Sequence, residues 1–293
     1  MATTLAHLSD LHVLDLTGVR WWRYLNKRIT GAVNLVISRS DAHPVSLTES
    51  LVADVRTVAP DHVAITGDLT NLAFDSEFTK AAQLLEPLGG FEKVSVIPGN
   101  HDIYTAGSLR SRRFERHFGH LMWTQEDQQS RYPWTKRVGD ELTLIGLRSA
   151  HPVAPLFAHG WVEREQLEMV TRVATQDADR FVVVMLHHNL HRRSARKTWM
   201  HGLRNRDEVL DVCADAGVDL VLHGHTHVAH RFAHRGMPVI GCGSSTWSSE
   251  NPNHVARYNL YRIDDRRLVD VEVRTFDLKS QHFESSGHLE LEG

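Results

Sequence analysis

The most informative run in this chain is Val94-Ser95-Val96-Ile97-Pro98-Gly99-Asn100-His101-Asp102, because an apolar segment ends there directly in polar side chains. The first four residues have the length and β-branched composition of a buried strand. Pro98 and Gly99 end that pattern and begin a turn. Asn, His and Asp then supply oxygen and imidazole groups that bind metal ions. The run predicts a strand whose carboxyl end presents metal-binding groups.

Other motifs of the same kind occur along the chain, each placed where a strand is predicted to end. They are Asp10-Leu11-His12, Gly67-Asp68, His187-His188 and Gly224-His225-Thr226-His227. In sheets with helical crossovers, the carboxyl ends of the strands collect on one edge, where ligands bind. The glycines at 67, 99 and 224 allow sharp turns there and leave room for ions. Together the motifs predict a two-metal hydrolytic site.

Short β-rich runs alternate with helical patterns, which predicts an α/β or α+β layered fold. The predicted strands cover residues 4–8, 62–66, 93–97, 142–147, 181–186, 219–222 and 238–241, and residues 256–263 and 268–276 form a predicted hairpin. A capping-box pattern at residues 46–49 predicts a helix to about residue 58. Further helices are predicted over residues 75–88, ended by Gly89-Gly90, and from Asn205 to Gly217.

Composition is that of an ordinary globular protein, with 41% hydrophobic and 24% charged residues. The net charge of −3 gives no dominant basic field for a nucleic acid. We predict a single domain over residues 1–276 and a loose polar tail over residues 277–293. No signal peptide or apolar span is recognisable, and Cys213 and Cys242 are interpreted as buried thiols in a reducing compartment. The expected location is the cytoplasm.

Read in order, the motifs are D-x-H, G-D, G-N-H-D, H and G-H-x-H, and the chain resembles the calcineurin-like metallophosphoesterases over most of its length. The resemblance implies a four-layer α/β/β/α sandwich of two mixed sheets flanked by helices, with a dinuclear metal site. It implies that one metal ion is held by Asp10, His12 and His227. It implies that the other is held by Asn100, His187 and His225, and that Asp68 bridges both.

The chemistry of phosphodiester cleavage agrees with this assignment. Two cations about 3.5–4 Å apart hold the phosphoryl oxygens and a bridging hydroxide for in-line attack. Asn100 is a neutral ligand and limits the negative charge that faces an anionic substrate. His101 is the predicted proton donor to the leaving oxygen, and Asp102 is expected to orient its imidazole. The mixed donors suit Mn²⁺, Fe and Zn²⁺ and do not select among them.

Most of the 21 histidines lie outside these motifs. His188 is expected either to support the metal ligands or to be structural, and His223 either donates a hydrogen bond near the ligands or packs. His7 is expected in the core or at the surface. The histidines at 117, 120, 230, 234, 254, 282 and 288 are expected to be structural.

Differences between these motifs and those of related families reduce the number of possible substrate classes. The arginine that serine/threonine protein phosphatases carry after G-D is missing here, and Asn71 stands where purple acid phosphatases place a metal-binding tyrosine. The remaining pattern resembles the bacterial class III cyclic-nucleotide phosphodiesterases and related enzymes acting on small phosphodiesters. The basic run of residues 191–206, which contains Trp199, either attracts a phosphate or nucleotide or is a solvated loop.

Several alternatives stay open. Aromatic and basic residues at 20–37 suit a lid over an acylated substrate, a peripheral membrane contact, or a helix packed on the domain or on a second subunit. A lid would fit a UDP-2,3-diacylglucosamine pyrophosphohydrolase of lipid A synthesis. A nuclease is less favoured because no dedicated nucleic-acid-binding domain is recognisable. A non-enzymatic binding scaffold of the same fold would be expected to lose ligands, and none is lost here.

Overall fold

The computed structural model describes residues 2–24, 28, 42–124 and 131–290. In this part of the chain two six-stranded sheets form the centre of the molecule. The strands are β1 (Thr3–Leu8), β2 (His62–Ile65), β3 (Val94–Val96), β4 (Trp134–Val138), β5 (Leu142–Gly146), β6 (Phe181–Met185), β7 (Leu220–His223), β8 (His230–His234), β9 (Met237–Gly241), β10 (Arg257–Asp264), β11 (Arg267–Asp277) and β12 (His282–His288).

Both sheets are mixed. The first has the order β12-β11-β10-β1-β2-β3, and the second has the order β4-β5-β6-β7-β9-β8. Strands β1, β2 and β3 are parallel to one another, as are β5, β6, β7 and β9. The other pairs are antiparallel, including β10 with β1. The parallel strands therefore bring the ends of β1, β2 and β3 to one edge, and the ends of β6 and β7 likewise.

Alternate side chains of β6 show how the layers stack. Phe181, Val183 and Met185 belong to a core that also contains the first sheet and its helices. Val182 and Val184 belong to a second core, with side chains of the helices on the other face. Successive side chains of a strand point to opposite faces of the sheet, so a strand that is buried on both faces contributes to two cores. The predicted sandwich of two mixed sheets with flanking helices is confirmed.

The helices are α1 (Val45–Val58), α2 (Asp75–Leu85), α3 (Ala106–Arg110), α4 (Arg113–Phe118), α5 (Arg164–Gln176), α6 (Ala195–His201) and α7 (Arg206–Asp215), with 3-10 turns at Trp21–Tyr24, Glu86–Leu88 and Gly119–Leu121. The predicted capping box of α1 is wrong, because it places the N-cap at Ser46, whereas the helix begins at Val45 and its N-cap, Pro44, has no side-chain donor or acceptor. The helix expected over residues 75–88 changes to a 3-10 turn at Glu86, next to Pro87.

The strands that the sequence did not predict are β4, β8 and β12, and all lie at sheet edges. Many of their side chains are half exposed or exposed, so these strands lack the continuous apolar run of a central strand. The expectation of a loose tail over residues 277–293 is corrected, because β12 pairs with β11 from Glu272 to Asp277. Both cysteines are buried and free. No described helix has the length and apolarity needed to cross a membrane.

Candidate metal centre

The proposed ligands come together at the edge where the two sheets meet. Asp10 and His12 follow β1, Asp68 follows β2 and Asn100 follows β3. From the second sheet, His187 follows β6, and His225 and His227 follow β7. Except for His225, which is half-buried, these side chains are buried. The seven residues lie together at one edge, as their positions after predicted strands led us to expect.

The first group of donors consists of Asp10, His12 and His227. The Nε2 atoms of the two histidines are 2.8 Å apart. The Oδ1 atom of Asp10 lies 3.4 Å from Nε2 of His227 and 3.8 Å from Nε2 of His12. The three side chains therefore direct a carboxylate oxygen and two imidazole nitrogens toward one another.

The second group consists of Asn100, His187 and His225. The Oδ1 atom of Asn100 is 3.1 Å from Nε2 of His187 and 2.8 Å from Nδ1 of His225. The other ring nitrogen of each histidine faces a carbonyl oxygen. Nδ1 of His187 is 2.7 Å from the carbonyl oxygen of Thr66, and Nε2 of His225 is 2.7 Å from that of His201. A carbonyl only accepts, so those nitrogens carry the protons. His187 Nε2 and His225 Nδ1 are the nitrogens left to face the site.

Asp68 lies between the two groups. Its Oδ2 atom is 3.8 Å from Nε2 of His12 in the first group and 3.2 Å from Nε2 of His187 in the second. Its Oδ1 atom accepts the backbone N–H of His101 at 2.7 Å. This placement suits a carboxylate that bridges two ions.

Five of the candidate ligands have left-handed backbone conformations. The φ angles are 54° for Asp10, 48° for His12, 55° for Asp68, 77° for His225 and 58° for His227. Non-glycine residues rarely adopt this region, and each such residue costs about 1–3 kcal/mol unless its surroundings impose it. Strain of this kind concentrates at functional sites. Five of the thirteen described non-glycine residues with positive φ are therefore candidate ligands at this edge.

Two glycines are required by close approach of side chains. A Cβ atom on Gly99 would collide with the Asp68 carboxylate, and one on Gly224 would collide with the Ser9 hydroxyl and the Asp10 carboxylate. These glycines thus make room for the side chains of the proposed ligands, rather than for ions as predicted from the motifs. Gly67 has a φ of 92°, as a sharp turn requires.

The pKa values show how burial and charge act on the donors. Burial lowers the pKa of His225 to about 3, with a further contribution from His187. Burial also opposes charge on His187, but the carboxylates of Asp68 and Asp10 outweigh it and raise the pKa to about 9. Burial opposes the ionisation of Asp68, yet His187 and His101 hold its pKa well below the usual range.

His101 is oriented by Asn71, for which the sequence motifs predict no role in the site. Its Nδ1 atom lies 2.6 Å from the carbonyl oxygen of Asn71, and its ring packs edge-on against His12 at 4.8 Å. The Asn71 side chain donates to the His12 carbonyl oxygen. Asn71 therefore connects the candidate proton donor to the first group of ligands.

The prediction that Asp102 orients the His101 ring is wrong. Its carboxylate accepts the backbone N–H groups of Leu69, Thr70 and Gly99 at 3.2, 3.0 and 2.9 Å, and the Thr70 hydroxyl at 3.0 Å. Burial and the charge of Asp68 raise its pKa to about 7. Asp102 joins the loops after β2 and β3, and through them it positions Asp68 and Asn100.

His188 and His223 are buried histidines that lie next to the candidate ligands. The Nδ1 atom of His188 is 2.8 Å from the Ser149 hydroxyl, and its Nε2 atom is 3.1 Å from the Ala158 carbonyl oxygen. With both nitrogens in hydrogen bonds and its ring 4.7 Å from that of His225, His188 supports a ligand. His223 is fully buried, with Nδ1 3.2 Å from the Gly224 carbonyl oxygen.

Residues outside the motifs also contribute to the site. The hydroxyl groups of Ser244 and Thr246 donate to the carbonyl oxygens of Asp10 and Leu11, at 2.8 and 2.7 Å. His43 lies beside His12 and His227, with ring centroids 4.8 and 5.9 Å apart. These residues belong to no recognisable motif, and no local signal in the sequence would have identified them.

The basic run of residues 191–206 forms one side of the site. It contains α6, whose last residue, His201, accepts a hydrogen bond from Nε2 of His225. Trp199 is 58% exposed, packs on Phe157 with ring centroids 5.1 Å apart, and carries the Arg204 guanidinium 5.8 Å from its ring. The Trp199 ring is thus exposed to solvent and held in place by Phe157 and Arg204, two residues before His201, which contacts a candidate ligand.

Residues 20–37 lie for the most part outside the described residues. Trp21 and Trp22, in the 3-10 turn, are 71% and 48% exposed. Arg28 is buried, and its guanidinium donates to the carbonyl oxygens of Leu72 and Ala73 at 2.6 and 3.0 Å. Arg28 is therefore packed on the loop after β2.

Comparisons with known proteins agree with the geometry. A family model described as calcineurin-like phosphoesterase matches residues 3–229. The chain is 22% identical over 233 residues to a probable cyclic nucleotide phosphodiesterase of Ruthia magnifica subsp. Calyptogena magnifica, covering 77% of this chain and 87% of that protein. It is 25% identical over 169 residues to the 3′,5′-cyclic adenosine monophosphate phosphodiesterase CpdA of Haemophilus influenzae, covering 57% of this chain and 54% of that protein.

Among solved structures, the protein TT1561 of Thermus thermophilus superposes with a TM-score of 0.54 at 12% identity, covering 94% of this chain and 99% of that one. At this identity the likeness concerns the fold alone.

Proposed function

Because the chain belongs to the calcineurin-like phosphoesterase family, we propose that it is a two-metal phosphodiesterase that cleaves a small phosphodiester, with 3′,5′-cyclic nucleotides as the favoured class. The observation that carries the proposal is the position of Asp68 between two groups of donors, within 3.8 Å of a histidine nitrogen in each. Relatives named as cyclic nucleotide phosphodiesterases support the substrate class.

The donors fit two metal ions. Single donor atoms of Asp10, His12, Asp68 and His227 lie within 4.8 Å of one another, and those of Asp68, His187 and His225 form a second such set. Carboxylate, amide and imidazole donors of this kind suit Mn²⁺, Fe and Zn²⁺. When bound, two such ions polarise phosphoryl oxygens and lower the pKa of a water molecule.

His101 is proposed to give a proton to the leaving oxygen. Because a carbonyl oxygen only accepts, His101 Nδ1 carries a proton that it donates to Asn71 at 2.6 Å. Nε2 is then the atom from which a protonated ring transfers its proton to the alkoxide of a departing alcohol. Its neighbours also hold the ring in place, with His12 packed at 4.8 Å and Tyr104 stacked at 5.4 Å.

The side of the site formed by α6 is proposed to bind the organic part of the substrate. Trp199 presents an exposed ring, to which a purine or pyrimidine base can stack. Basic residues of the same run attract a phosphate. The side chain of Asn100 is a neutral amide, so it adds no negative charge to the second group of donors. This favours the binding of an anionic ester there.

The test is a hydrolysis panel on purified protein reloaded with Mn²⁺. The substrates are bis-p-nitrophenyl phosphate, p-nitrophenyl phosphate, 3′,5′-cAMP, 2′,3′-cAMP and UDP-2,3-diacylglucosamine. We expect the diester and cyclic nucleotides to be cleaved faster than the monoester. An absence of turnover on every substrate, with the metals bound, would favour the binding scaffold instead.

One observation supports the acylated substrate as a second candidate. Trp21 and Trp22 expose large apolar rings, as a surface that contacts acyl chains requires. Turnover of UDP-2,3-diacylglucosamine without turnover of cyclic nucleotides would establish that alternative and assign residues 20–37 to acyl recognition.

A further inference from the structure

His43 lies at the metal centre although it belongs to none of the metal-binding motifs. One ring nitrogen of His43 lies within 4.8 Å of ring nitrogens of both His12 and His227. The side chain is only 8% exposed, and its ring packs 4.8 Å from that of His12 and 5.7 Å from that of Trp247. It therefore faces the two histidines of the first group from a separate segment of the chain, just before α1.

The hydrogen bond to Thr246 determines which nitrogen of His43 carries the proton. The Nδ1 atom is 2.9 Å from the Thr246 hydroxyl oxygen. That hydroxyl has a single proton, which it donates to the carbonyl oxygen of Leu11 at 2.7 Å. The hydroxyl therefore accepts from His43, and Nδ1 is the donor. In the neutral ring, Nε2 then has the lone pair that a metal ligand needs.

This arrangement is the one by which proteins usually support a metal-binding histidine. One ring nitrogen donates to a fixed oxygen, which sets the tautomer and the ring direction, and the other nitrogen binds the ion. His187 follows the same pattern with the Thr66 carbonyl oxygen, and His225 with the carbonyl oxygen of His201. His43 thus has the support that candidate ligands in the second group have.

We propose that His43 Nε2 is a further ligand of the ion held by Asp10, His12 and His227. The inference rests on the proposed metal centre and adds a third imidazole to its first half. Three imidazoles with carboxylate oxygens favour a transition metal or Zn²⁺ over Mg²⁺ or Ca²⁺. The ion in this half would accordingly be bound more tightly than its partner.

The test measures metal binding rather than turnover. Metal-depleted wild type and variants are titrated with Co²⁺ alone, and bound metal and the visible absorption spectrum are recorded. We expect wild type to bind two ions. His43→Ala should weaken one of them by about 10–100-fold or more, leave the other unchanged, and alter the absorption of the tighter site.

Two Thr246 variants and one histidine control separate ligation from packing. Thr246→Val keeps the side-chain shape but removes the oxygen that accepts from His43, so it should weaken the same ion by about tenfold, whereas Thr246→Ser should restore binding. His254 packs on the other neighbour of His43, Trp247, with ring centroids 4.9 Å apart. His254→Ala should bind both ions like wild type. Circular dichroism of the metal-free variants checks their folding.

The outcomes distinguish this inference from the proposed function. If wild type binds two ions and His43→Ala has the same affinities and spectrum, His43 is not a ligand and the metal centre stands without it. If folded wild type binds no Co²⁺, the metal centre and this inference both fail. A crystal structure of the Zn²⁺-loaded protein gives a direct check, with Nε2 expected about 2.0–2.1 Å from the ion.

Discussion

The two halves of the candidate metal centre, which are the two groups of donors on either side of Asp68, differ in their chemistry. The first half has a carboxylate, Asp10, with His12 and His227, and His43 beside them. The second half has a neutral amide, Asn100, with His187 and His225. A carboxylate attracts a cation more strongly than an amide does, while an amide repels a phosphate less. The comparison indicates one half suited to holding its ion and another suited to an anionic substrate.

Removing the shared residue should have the largest effect. Asp68→Ala takes away a carboxylate that lies near histidine nitrogens of both halves, so we expect loss of tight binding of both ions. Turnover of bis-p-nitrophenyl phosphate should fall by about a thousandfold or more, since metal ions contribute several kcal/mol to such reactions. Metal analysis and kinetics on the same sample measure the loss of bound metal and the loss of turnover. Wild-type turnover would refute the ligand assignment.

His101 should act separately from both halves. His101→Ala removes the proposed proton donor but no ligand, so both ions should stay bound. Cleavage of esters with poor leaving groups should slow by roughly a hundredfold or more, while nitrophenyl esters are much less affected. Rates with a series of leaving groups test this. Equal losses across the series would show that His101 is not the acid.

Exchanging the distinctive donors tests the comparison itself. Asp10→Asn should weaken the ion of the first half by about 10–100-fold. Asn100→Asp should tighten the ion of the second half and raise KM for an anionic diester, because it adds a negative charge there. Stepwise Co²⁺ titration and steady-state kinetics provide both readouts. If both substitutions affect the same ion, the division into halves is wrong.

Protonation of His187 should give the smallest effect, confined to the second half. Its pKa of about 9 means that the metal-free protein carries an extra proton there at neutral pH. An ion must displace that proton, so affinity should fall as pH decreases below about 9, by up to about tenfold per pH unit. Calorimetric titrations in buffers of different ionisation enthalpy count the released proton. No proton release at pH 7.5 would contradict this.

The central strands and the ligand positions were predictable because their signals are local. Residues 94–97 are rich in valine and isoleucine and residues 181–186 are an apolar run, and the observed strands are Val94–Val96 and Phe181–Met185. Parallel strands then bring their carboxyl ends together whatever the loops contain. Edge strands such as His282–His288 were not predicted, because most of their side chains are exposed and their sequence shows no apolar periodicity.

Roles within the site were less predictable, because a hydrogen bond depends on distance and direction rather than on adjacency in sequence. Asp102 follows His101 directly, yet its carboxylate turns to the backbone of Leu69, Thr70 and Gly99. The partner of the His101 ring is instead the carbonyl oxygen of Asn71, 30 positions earlier.

By itself the sequence determined the family, the layered fold and the seven candidate ligands, because short motifs at strand ends encode them locally. Only the tertiary structure decided which nitrogen of His187 and of His225 faces the site, which groups Asp102 holds, and that His43 lies beside His12 and His227. His43 and Thr246 are separated by 203 positions, and their hydrogen bond exists because the ends of β1 and β9 lie close to the segment before α1. Contacts of that kind follow from packing, which no local pattern of residues records.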